Sequence, residues 1–127
     1  MEAKEITYDE MREAEIRNIQ KESGSSQPLL ALSIFRVSNN YWCEFFWNAQ
    51  QFNTLYIGLK TFPATDSSCQ VRVDIQYTDK PTTHTSYTVA NGKYEKIQYT
   101  PDIKSISVFF IKGTGLTTVS NLSIGVI

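Results

Sequence analysis

Side chains that could carry chemistry are few in this sequence. It has one histidine, His84, set in Pro81-Thr82-Thr83-His84-Thr85. A Ser or Cys nucleophile usually needs a histidine base that a third group orients. No such motif surrounds His84, and neither Cys43 nor Cys69 lies in a nucleophile signature, so His84 reads as an exposed edge residue. The six acids beyond Gln27 are Glu44, Asp66, Asp74, Asp79, Glu95 and Asp102. A glycosidase needs two carboxyl groups flanking one bond, whereas these fall in turns or on polar strand positions and read as solvated surface. Two distant cysteines and one histidine match no zinc spacing. Gly113-Thr114-Gly115 is followed by no helix and so forms no phosphate cradle. The sequence therefore predicts no enzyme, no metal and no cofactor.

Recognition has better candidates. Tyr41-Trp42-Cys43-Glu44-Phe45-Phe46-Trp47 holds both tryptophans. In a strand, Tyr41, Cys43, Phe45 and Trp47 share one face, the expected core face, while Trp42 and Glu44 share the other. An indole beside a carboxylate can stack on a sugar or anchor an interface. Tyr94 and Tyr99, at the ends of a short strand, are expected to be exposed and complete the candidate ligand-binding set of Trp42, Glu44, Tyr94 and Tyr99. Tyr77 alternates with Val71, Val73 and Ile75 and is expected in the core.

These residues need elements to position them. Thr7-Tyr8-Asp9-Glu10 has the form of a capping box and predicts a helix start. Asp9, Glu10 and Glu13 then fall early in the helix and Arg17 and Lys21 late, which complements its dipole, and Gly24 supplies the stop. The apolar residues of this helix are Tyr8, Met11, Ile16 and Ile19, too few for stability alone. Two destinations fit it: the chain's own domain, or another subunit. In the second case those four residues are the assembly contact.

From Pro28 onward short apolar and polar alternations recur, separated by turn residues. Strands are expected over Leu29 to Val37, Tyr41 to Trp47, Phe52 to Phe62, Cys69 to Thr78, Thr83 to Val89, Tyr94 to Tyr99, Lys104 to Lys112 and Leu116 to Ile127. Asn91-Gly92 is the clearest hairpin signal. The predicted fold is mainly β, an antiparallel eight-stranded β-sandwich (jelly roll) preceded by one N-terminal α-helix. Residues 1–26 form the helical arm and linker, and residues 27–127 the sandwich.

Twelve Lys plus Arg against 13 Asp plus Glu give a net charge of −1, which offers no electrostatic reason for nucleic acid or an anionic membrane. The N-terminal segment is acidic and the remainder slightly basic. Charges from Glu2 onward leave no secretory signal, and no apolar run approaches a membrane span, so cytoplasmic synthesis is expected. Cys43 and Cys69 permit one disulfide, although buried free thiols are the commoner outcome. Asn121-Leu122-Ser123 is a formal glycosylation triplet without a signal peptide to give it meaning.

The run Gln70 to Asp79, the turn through Gly92-Lys93-Tyr94, the strand Ile103 to Phe110 and the closing Val119-Ser120-Asn121-Leu122-Ser123-Ile124 resemble the second half of galactose-binding-like jelly rolls. That group includes many carbohydrate-binding modules, so the resemblance implies a glycan ligand. Many such modules place a calcium-ligating Asp near the start of the last strand. Asn121 stands there instead, and no calcium is expected. A small sandwich behind a helical arm is also similar in plan to bacteriophage fibre, baseplate and capsid-decoration proteins. The leading expectation is a non-catalytic structural or attachment protein, a phage-type virion component assembling through its helix into a homo-oligomer or larger assembly. The alternative is a carbohydrate-binding module using the platform around Trp42.

Overall fold

The computed structural model describes residues 8–24, 31–38, 43–47, 54–62, 66–100, 102–117 and 119–126. Helix α1 (Tyr8–Ser23) is followed by strands β1 (Ala31–Arg36), β2 (Cys43–Trp47), β3 (Thr54–Phe62), β4 (Ser68–Tyr77), β5 (Thr83–Ala90), β6 (Tyr94–Gln98), β7 (Ile103–Thr114) and β8 (Val119–Val126). The fold is mainly β, with two antiparallel sheets ordered β1-β8-β3-β6 and β2-β7-β4-β5. Among the described residues no helix is long and apolar enough to cross a membrane.

Alternation builds the second sheet. Val71, Val73 and Ile75 of β4 are buried, while Arg72, Asp74 and Gln76 between them are not. On β7 the inward set is Ile106, Val108 and Phe110, yet Ile103, out of phase with them, is buried as well. The register against β4 explains this, since it shifts between Gln76 and Tyr77 and again between Gln70 and Val71. Each shift inserts one extra residue into β7, and one extra residue reverses the face that follows. Leu55, Ile57 and Leu59 of β3 and Leu122, Ile124 and Val126 of β8 join these side chains in one apolar core. The two sheets thus share one core, and burying such side chains is worth roughly 1.5–3 kcal/mol each.

The Asn91-Gly92 turn joins no hairpin, because β5 pairs with β4 in one sheet and β6 pairs with β3 in the other. Lys93 N–H donates to the Ala90 carbonyl at 3.1 Å. Gly92 alone has positive φ, at 79°, with Asn91 on the negative side. That is the type II pattern, whereas the hairpin-forming type I′ turn needs positive φ at both residues. The turn therefore carries the chain from one sheet to the other. Cys69 is a free, buried thiol. The backbone of Cys43 lies opposite Phe110 on β7, so β7 separates the two cysteine-bearing strands by two strand spacings of ~4.8 Å, beyond the ~4.4–6.8 Å that a bridge requires. Asn121 is buried on β8, where its Nδ2 finds no hydrogen-bond partner, so the glycosylation triplet is closed off in the folded chain.

Helix α1 lies on the outer face of the β1-β8-β3-β6 sheet. Ile19 is fully buried against Leu32 and Tyr56, with Ile16, Ile34 and Tyr94 packed around them. The helix thus docks on its own domain: of the four proposed assembly contacts, Ile19 and Ile16 face this sheet, Met11 is half-buried, and the Tyr8 side chain lies outside the described residues. Arg12 Nη1 donates to the Leu32 carbonyl at 2.7 Å. Gly24, at φ 63°, ends the helix, and its N–H donates to the Lys21 carbonyl; Thr7 of the expected capping box is outside the described residues. The covered face also explains why β3 shows no alternation of burial. Its odd positions face the core, and Tyr56 and Gly58 lie on the face that α1 covers.

Ile19→Ala removes a fully buried apolar side chain, the only one of the helix among the described residues. A loss of about 2–5 kcal/mol is expected, read by urea unfolding, with amide exchange showing α1 released before the sheets.

Candidate functional site

With α1 over one sheet, the outer face of β2-β7-β4-β5 stands uncovered among the described residues. Register sets the rows across it. Phe109, Arg72 and Ser86 are neighbours on β7, β4 and β5, as are Ser107, Asp74 and His84. The Arg72 guanidinium lies over the Phe109 ring, 4.4 Å from its centroid. It donates from Nε and Nη2 to Asp74 Oδ1 and Oδ2 at 3.0 and 3.1 Å. His84 Nδ1 is 2.8 Å from Asp74 Oδ1.

Exposure is graded across this cluster: the Asp74 side chain is 14% exposed, Arg72 43% and His84 60%. Asp74 is thus the anchor, its two oxygens accepting from Arg72 and one of them approached by His84 Nδ1. What remains for a ligand is the free edge of the guanidinium and the second imidazole nitrogen of His84. An exposed ion pair adds only ~0–1 kcal/mol of stability, and a cation over an exposed ring ~0.5–1 kcal/mol. The cluster therefore does little to hold the fold, yet it fixes three polar groups in one geometry. Among the described residues no Ser or Cys hydrogen-bonds His84, so the Asp–His pair is not joined to a nucleophile there.

Of the ligand-binding candidates read from sequence, only the side chains of Tyr94 and Tyr99 fall among the described residues. Trp42 lies outside the described residues. Glu44 sits on β2 opposite Phe109 in register, its side chain undescribed. Tyr94 is not exposed: its ring lies beneath α1 over Gly58, where a Cβ would collide with Tyr94 Cε1. Its hydroxyl donates to Glu15 Oε2 at 2.6 Å. Burial, and then that bond, raise the phenol far above its ordinary range. Glu15 is itself only 3% exposed, with Lys60 Nζ at 3.7 Å. Tyr99 is only 6% exposed and belongs to the core. Both expectations of exposure failed because the sequence shows strand ends but not what packs across them.

Two clefts accompany these tyrosines. One of about 250 Å³ lies between α1 and the sheet, lined by Glu15, Asn18, Lys21, Lys60 and Tyr94 among others. The other, about 410 Å³, is lined by Tyr77, Gln98, Tyr99 and Thr100. Lys80 Nζ contacts two of these residues, 4.9 Å from the Tyr77 ring centroid and 3.4 Å from Thr100 Oγ1, and lies 3.1 Å from Asp102 Oδ2. The Thr100 hydroxyl, then Lys80, hold the Asp102 carboxyl below its usual range.

Sequence reasoning missed the Asp74–His84 pair. The signal was available: alternation turns both residues outward, and the β4–β5 hairpin register sets them opposite each other.

No protein-family model and no curated protein matches the sequence. Among solved structures the chain is similar to the Yersinia pseudotuberculosis-derived mitogen (YPM), with a TM-score of 0.50 and 12% identity over 76% of this chain and 82% of that one. At that identity the likeness is one of fold.

Burial pushes the Cys69 thiol and the Tyr99 phenol each up to about 12, from ordinary values of 9.0 and 10.0. Both neutral forms are favoured by folding, so the stability tied to them is complete below pH 9.0 and is lost as pH rises toward 12. Urea midpoints measured from pH 8 upward should fall over that window, and Cys69→Ala should flatten its lower part while leaving the pH dependence below pH 8 unchanged.

Proposed function

We propose that this chain is a non-catalytic attachment protein that binds its partner through the outer face of the β2-β7-β4-β5 sheet. The observation that carries the reading is the inequality of the two sheets: α1 covers one, and the other presents the Arg72–Asp74–His84–Phe109 cluster without cover among the described residues. The strand orders β1-β8-β3-β6 and β2-β7-β4-β5 support a jelly roll, with only β4 and β5 adjacent both in sequence and in a sheet. Double-sheet jelly rolls serve in viral capsid and lectin domains, although a fold alone assigns no function. A phage-type virion component is the most concrete form of the proposal. With Ile16 and Ile19 turned to the chain's own sheet, the open face takes over the attachment role first assigned to the helix.

The cleft at Tyr77 favours a second reading, carbohydrate binding. An aromatic ring, an amide and a hydroxyl line a space suited to a single sugar ring, and Lys80 contacts two of the residues that line it. The platform around Trp42 read from sequence lies outside the described residues, so the cleft at Tyr77 stands beside it as a second place for a sugar.

Quantitative mass spectrometry of particles released by the producing cells tests the first reading. The chain should be present in many copies per particle, and Arg72→Ala combined with His84→Ala should lower its incorporation about tenfold, equivalent to ~1.4 kcal/mol, with the melting temperature retained. Absence from particles would overturn it. A glycan array tests the second: a saccharide response lost in Tyr77→Ala supports it, and no response removes it.

A further inference from the structure

Four strands lie at the edges of the two sheets: β1, β6, β2 and β5. An exposed edge is a row of unpaired backbone groups, and soluble proteins blunt it with charge, proline, shortness or a covering element. Three of these edges carry such protection. β1 contains Arg36, and its Leu32 carbonyl accepts from Arg12 of the helix. β6 has five residues and includes Glu95 and Lys96. β2 has five residues and includes Glu44.

β5 is different. Thr-His-Thr-Ser-Tyr-Thr-Val-Ala runs for eight residues with no Lys, Arg, Asp, Glu or Pro, and Thr83 to Ser86 are all exposed. It pairs with β4 on one side, and among the described residues nothing pairs with the other.

We infer that β5 pairs antiparallel with β5 of a second copy of this chain, joining the two open sheets into one. The sequence of the strand is what selects a second copy. A two-fold axis perpendicular to the sheet keeps each face on its own side, so residues of like parity must meet. With that axis at Ser86, Ser86 meets Ser86, His84 meets Thr88 and Thr85 meets Tyr87. The contacts are then hydroxyl with hydroxyl and hydroxyl with ring, pairs that stabilise antiparallel ladders. No like charges face each other, as they would if β6, with its adjacent Glu95 and Lys96, paired with itself about either residue. The interface is isologous and closes on itself. The combined sheet runs β2-β7-β4-β5-β5-β4-β7-β2 and brings two Arg72–Asp74–His84–Phe109 clusters onto one continuous surface. Pairing does not depend on what that surface binds.

Sedimentation of the full chain, with two variants, tests the inference. The wild type should show a species of twice the 14.5 kDa chain mass. Ser86→Lys places like charges on the axis and should return the protein to a monomer with its circular dichroism and melting temperature retained. In a Cys43→Ser background, Ser86→Cys should cross-link under mild oxidation to a reducible dimer, since residues facing each other across an antiparallel pair lie about 4.5–5.5 Å apart, within disulfide reach; Cys43→Ser alone should not. The cross-link serves as the readout if Ser86→Lys proves unfolded. A monomeric wild type, a dimer that survives folded Ser86→Lys, or no cross-link through Ser86→Cys would overturn the inference. Each result is separate from glycan or particle binding, which reads the open face and not its edge.

Discussion

The packing of Ile19 into the pocket made by Leu32 and Tyr56 governs how this molecule presents itself. It brings α1 across one sheet and carries Glu15, three percent exposed, onto the hydroxyl of Tyr94. A buried carboxylate is tolerable only when its oxygens are satisfied, and here a tyrosine and a lysine approach it. Tyr94 can lie flat beneath the helix because the residue under its ring is Gly58, the one residue type with no Cβ to displace it. Apolar burial drives the docking, while the carboxylate and the missing side chain fix its position.

One covered sheet leaves one open sheet, and the chemistry divides accordingly. On the covered side the buried Glu15 carboxylate is turned toward the half-buried Tyr94 and the part-exposed Lys60. On the open side Asp74 collects Arg72 and His84 at the surface, where the net energy of each pair is small and its geometric value to a ligand is larger. A fixed guanidinium stacked on Phe109 can meet a planar or anionic group without first losing rotamer freedom, which is the usual saving of a preorganised site. The β5 edge bounds the same face.

Much of the scaffold was legible because period and turn chemistry are local. The alternation from Val71 to Ile75 named its buried set directly, although Tyr77, expected in the core, is only half-buried beyond the register shift, and Gly24 marked the helix end. What was misread depended on distant partners. Asn91-Gly92 signals a turn, but the sign of φ at Asn91 decides between a hairpin and a crossing to the other sheet, and that sign is set by the surroundings: Asn91 N–H donates to the Ser67 carbonyl and Gly92 N–H to the Leu59 carbonyl. Tyr94 and Tyr99 look exposed by position, yet Tyr94 lies beneath α1 and Tyr99 is buried in the core. Ile16 and Ile19 could have served another subunit as well as their own, since a weak apolar stripe does not name its partner. Asp74 and His84 were individually visible and separately dismissed, because only the β4–β5 register makes them a pair.

Hydroxyl-radical footprinting resolved to single side chains measures the inequality of the sheets most directly. If α1 caps the β1-β8-β3-β6 sheet, Leu32 and Tyr56 should be labelled only on unfolding, while Phe109, Ile111 and His84 react in the native protein. Native labelling of Tyr56 at a rate matching Phe109 would contradict it, because the helix would then not be covering its sheet and the two faces would be equally open.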